Sequence, residues 1–112
     1  MALTGNTINP VARVSHHGRR LRVTGVVSTD VREKVRLRVT VTQRATGAVA
    51  EGTTKFTSTG NNVLDQWKVH AKTCGHADFE PGPAIAVARA VTRRHGKATD
   101  AFQWLVNITL VE

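Results

Sequence analysis

The sequence predicts an all-β domain, and three observations predict it. Residues 33–44, EKVRLRVTVTQR, place Val35, Leu37, Val39 and Val41 on one face and Lys34, Arg36, Arg38, Thr40, Thr42 and Arg44 on the other. That period of two is the pattern of a strand with one buried and one wet face. Segments of this kind recur at short intervals between turn formers, as in an all-β sandwich or barrel. No segment carries a helical period with caps. A chain of 112 residues fits one domain, 1–112, around one core.

The elements follow in order. Residues 8–15, INPVARVS, open the series, with Pro10 at an edge or entry position. The turn HHG leads to 19–28, RRLRVTGVVS, and TDVRE leads to 34–43. ATG at 45–47 precedes 48–58, AVAEGTTKFTS, whose second half could pair separately as an eighth strand. TGNN at 59–62 is the strongest turn signal and precedes 63–72, VLDQWKVHAK. After the loop TCGHADFEPGP comes 84–94, AIAVARAVTRR, apolar on both faces apart from Arg89, as a central strand is. HGKAT then turns into 101–111, AFQWLVNITLV.

Phe56, Trp67, Phe79, Phe102 and Trp104 are the only aromatics, so the core must be mostly Val, Leu, Ile and Ala. The net charge of +8 makes polyanions, acidic proteins or anionic surfaces plausible neighbours. Residues 1–44 hold nine Lys or Arg against Asp30 and Glu33, whereas residues 45–112 hold seven against six acids. An electrostatic surface is therefore expected to draw mainly on the N-terminal half. Cys74 is the only cysteine and excludes an intrachain disulfide. The start MALTGNTINPVARV shows no signal peptide, and no apolar run reaches the length of a membrane-spanning helix. These features predict a soluble protein, possible at a surface or on a particle, and leave its compartment open.

RLRVTG at 20–25 returns as RLRVTV at 36–41, sixteen residues on. Two units do not make a repeat architecture. The echo nevertheless sets a question of register. If the two strands formed a hairpin, with Val23 facing Val39, then Arg20, Arg22, Arg36 and Arg38 would share one basic patch. In an immunoglobulin-like topology the two strands lie in different sheets, and the patch is split.

The chemistry-bearing residues are few. The eight acids lie mostly in turns without the spacing of an acid–base pair. His70, Cys74, His76 and Asp78 include zinc-ligand types but lack the paired spacing of structural zinc sites. Cys74 has no identifiable base and orienting group to make it a nucleophile, and HHG at 16–18 reads as a polar turn. No phosphate-binding glycine motif occurs. The basic strands carry no outward aromatics on which bases would stack, which argues against a sheet that reads single-stranded nucleic acid. Lys and Arg on outward positions also protect sheet edges, an explanation that requires no ligand. In the last strand Phe102, Trp104, Val106, Ile108 and Leu110 form the core face; Leu105 and Val111 make the other face unusually apolar and need cover from the domain or a neighbour.

At LRVTVTQRATGAVAEG (37–52), FEPGPA (79–84) and AVTRRHGKATDAFQW (90–104) the chain resembles small, largely uncharacterised bacterial immunoglobulin-like β-sandwich domains, often secreted. The resemblance rests on turn and strand features and carries no functional residues. Members tend to have paired strand cysteines, from which the single Cys74 departs.

Together these readings predict a single immunoglobulin-like antiparallel β-sandwich of about seven or eight strands that works without catalysis, cofactor or metal. The expected role is a structural or docking subunit that assembles with itself or with a protein partner, using Leu105 and Val111. The alternative is a protein that binds a polyanion or nucleic acid through Arg20, Arg22, Arg36 and Arg38. No small-molecule substrate is evident.

Overall fold

The computed structural model describes the backbone of residues 3–4 and, with side chains, residues 6–15 and 17–112. Its strands are Leu3–Thr4 (β1), Val11–Ser15 (β2), Arg20–Thr29 (β3), Lys34–Gln43 (β4), Ala48–Thr57 (β5), Asp65–Thr73 (β6), Gly82–Arg94 (β7) and Lys97–Val111 (β8). Each of the seven segments expected from the sequence contains a strand, and β1 is an addition. Period-two burial runs cleanly through β4, where Val35, Leu37, Val39 and Val41 are buried between exposed Lys34, Arg36 and Arg38. β8 begins four residues earlier than expected. His95 and Gly96, with φ of 54° and 78°, form a two-residue turn that lets Arg94 pair directly with Lys97.

The strands form one sheet in the order β1-β3-β2-β8-β7-β4-β5-β6, and β6 returns to pair with β3. Seven strands therefore close into a mixed β-barrel, with β1 appended to the end of β3. This corrects the expected antiparallel sandwich of two sheets. Two short seams make the difference. β2 pairs antiparallel with β3 and, through Val11–Arg13, parallel with Thr109–Val111 of β8. β5 meets β6 only at Ala50↔Thr73 and Glu51↔Lys72. Just beyond that contact a Cβ on Gly52 would lie 2.5 Å from Val69 Cγ1 and 2.6 Å from the His70 carbonyl oxygen. The absent side chain thus admits the close approach of β5 to β6.

The core is aliphatic: Leu21, Val23 and Val27 from β3, the four buried residues of β4, Val69 and Ala71 from β6, Ala84, Ala86, Ala88 and Ala90 from β7, and Ile108 and Leu110 from β8. Polar networks fasten the barrel ends. Gln43 donates from Nε2 to the Glu80 carbonyl and accepts from the Glu80 N–H at Oε1 (2.8 and 2.9 Å), holding the loop before β7. At the other end Ser58 Oγ accepts from the Glu33 N–H at 2.9 Å and donates to the Glu33 carbonyl at 3.0 Å. The Thr99 hydroxyl donates to Glu33 Oε2 at 3.1 Å, tying the β8 hairpin to the same cluster.

Candidate functional site

β4 lies between β5 and β7 and is hydrogen-bonded along both sides. Its outward residues therefore meet their neighbours in fixed register. Lys34 faces Arg93, Arg36 faces Lys55, and Arg38 faces Arg89. All six side chains are exposed on one wall of the barrel. Like charges placed directly opposite across strands repel. The one acid answering them is Glu51, whose Oε2 lies 2.7 Å from Arg38 Nη2. The other ion pair among the described residues, Arg19 with Asp78 at 2.9 Å, lies elsewhere and ties the loop before β7 to the start of β3. Ile85, Val87 and Val91 share the outward face of β7 and are half-buried.

Arg20 and Arg22 lie on a different wall. β3 and β4 are not paired; β3 runs between β2 and β6, three strands from β4 by the shorter way around the barrel. Arg22 faces Arg13 on β2 and His70 on β6, and Arg20 faces Lys72. The sixteen-residue echo thus yields two cationic walls, not one patch. The first wall draws only half of its cations from the N-terminal half, since Lys55, Arg89 and Arg93 complete it; in the second, Lys68 and Lys72 join Arg13, Arg20 and Arg22. The sequence reading missed Lys55, Lys68, Lys72, Arg89 and Arg93 because their half is nearly neutral overall. Arg89, the lone charge within the apolar run 84–91 of β7, is the signal that was available.

The last strand offers a second kind of surface. Val111 is half-buried and paired in register with Arg13 of β2, so the domain itself supplies its cover. Leu105 remains 59% exposed. From Phe102 to Ile108 the edge of β8 away from β7 pairs with no described strand. The direction of its polar groups follows from one bond. The Thr109 N–H donates to the Pro10 carbonyl at 2.7 Å, so it points toward the β2 side. With a period of two, the backbone N–H and C=O groups of Asn107, Leu105 and Gln103 point toward the same side, and the Ala101 N–H is taken by Asp100 Oδ1 at 2.8 Å. Residues 98–112 contain no Lys, Arg or Pro, whereas the open stretches of β5 and β6 carry Lys55 and Lys68.

The zinc-ligand types do not come together. His70 is exposed on β6, Asp78 is held by Arg19, and the exposed Cys74 directs its Sγ to the Lys72 carbonyl at 3.8 Å. Among the described residues no three His, Cys, Asp or Glu side chains could hold a metal ion. In the HHG turn, His17 has a φ of 57°, and His16 lies outside the described residues. No helix among the described residues is long and apolar enough to cross a membrane. No protein-family model matches the sequence, and no curated protein is similar to it.

Proposed function

We propose that this chain is a non-enzymatic assembly protein whose copies join by pairing β8 antiparallel with β8 of a second copy. The observation that carries the proposal is that, on the side away from β7, no described strand pairs with β8 from Gln103 to Asn107. Proteins ordinarily blunt such edges with lysines, prolines or short strands, because an open ladder recruits another strand. A second copy is the occupant that fits. An antiparallel edge is complementary to itself under two-fold symmetry. Each molecule carries +8, and residues 98–112 hold no Lys or Arg to repel the approaching copy. Leu105 would then be covered by its counterpart strand.

Sedimentation velocity over a concentration series tests this. The wild-type chain is expected to sediment as a dimer or larger species. Leu105→Lys, which places a charge on the edge, and Gln103→Pro, which removes an outward N–H, are expected to yield monomers with unchanged circular dichroism. A wild-type protein that stays monomeric throughout, or variants that assemble like wild type, would refute the pairing.

A further inference from the structure

The wall formed by β5, β4 and β7 points to a second activity, independent of assembly: we infer that it binds the phosphodiester backbone of nucleic acid without regard to sequence. Edge protection accounts for a lysine on an edge strand. It does not account for Arg36, Arg38 and Arg89, since β4 and β7 are interior strands paired on both sides. Nor does solubility require three pairs of cations set face to face, an arrangement that weakens the sheet. Such a lattice is satisfied by a ligand of high negative charge density.

The geometry says which kind. Along a strand, alternate residues are about 7 Å apart, and neighbouring strands lie about 5 Å apart. Lys34, Arg36, Lys55, Arg89 and Arg93, the five that take no part in the described ion pairs, therefore form a compact array. Duplex DNA presents one charge per about 1.7 Å of its axis, a density suited to such an array. Guanidinium groups match phosphate oxygens in bidentate geometry, and three of the five are arginines. Phe56, the aromatic that borders the array, is half-buried and packed against the core, so it offers no free ring face to stack a base and recognition stops at the backbone. An anionic membrane is disfavoured because the array includes no exposed large apolar side chain to enter the bilayer interface.

The test is fluorescence anisotropy of the full chain with a labelled random-sequence DNA duplex and a labelled single-stranded RNA, at stepped salt. The expected slope of log K against log salt is about −3 to −5, as several released counterions require. Arg36→Gln with Arg89→Gln should make that slope shallower by roughly two and weaken every sequence alike. Arg20→Gln with Arg22→Gln, on the other wall, should leave both nearly unchanged. RNA and duplex arms tell which backbone is preferred, and either preference supports the inference. A salt-independent wild-type affinity, equal loss from the two double variants, or tighter binding to anionic vesicles or a poly-glutamate peptide would overturn it. Thermal unfolding confirms that each variant is folded, and Lys55→Gln with Arg93→Gln provides a second disruption of the same array.

Discussion

Arg36 is placed where removing a charge should strengthen the protein. It faces Lys55 across the β4–β5 ladder, has Lys34 and Arg38 two residues away on its own strand, and has Arg89 and Arg93 diagonally across on β7. Arg38 is answered by Glu51, which leaves four uncompensated neighbours. At a separation of about 7 Å in water each repels Arg36 by roughly 0.6 kcal/mol. Screening at 0.15 M salt, with a Debye length of about 8 Å, lowers each contribution to roughly 0.25 kcal/mol. The sum is at most about 1 kcal/mol, and losing the arginine stem from the half-buried Val91 beside it offsets part of this. Arg36→Gln should therefore gain about 0.5 kcal/mol, a rise in Tm of roughly 2–4 °C. The assay is thermal unfolding by circular dichroism at 0.15 M and 1 M salt; at 1 M the Debye length is about 3 Å and the gain should vanish. A lower Tm at low salt, or an equal gain at both salts, would refute the reasoning.

Two further substitutions probe the scaffold. Gly25→Ala would drive a Cβ into the Thr7 carbonyl oxygen and the Trp67 ring, and should lower the urea-derived stability by about 1–3 kcal/mol; an unchanged midpoint would show that the N-terminal segment gives way freely. Ser58→Ala would leave the buried Glu33 N–H without its acceptor, with an expected loss of about 1–3 kcal/mol in the same measurement.

Individual strands were legible because each is specified locally. Alternation names the buried face, and positive-φ residues such as Gly60, Asn61 and Asn62 mark where a strand must stop. Closure was not legible. A sandwich and a barrel present the same alternation along every strand. The choice between them rests on Ala50 and Glu51 reaching Thr73 and Lys72, and on a parallel pairing between the two ends of the chain. These are distant contacts with no local signature. The candidate site divides in the same way. The cations of β4 could be read from one segment, but Lys55, Arg89 and Arg93 join them only through register across three strands. Leu105 and Val111, which share a face in the sequence pattern, part company because β2 reaches Val111 and stops short of Leu105.

The open edge and the cationic wall are linked through the strand order. β8 follows β7, and β7 follows β4, so the wall begins one strand from the edge. Antiparallel pairing of two β8 edges places the two-fold axis perpendicular to the sheet, and the outward faces of both copies then lie on the same side. The β5-β4-β7-β8 wall of one copy would continue into that of the next, with two cationic arrays flanking a neutral centre made by the paired β8 strands. Two arrays on one rigid sheet engage a continuous polyanion with an effective concentration that a single array lacks. Assembly and backbone binding are separable in test, since Leu105 lies outside the array and Arg36 and Arg89 lie off the edge. In the assembled protein, edge pairing would set the spacing of the arrays, and that spacing would set the length of polyanion needed to bridge them.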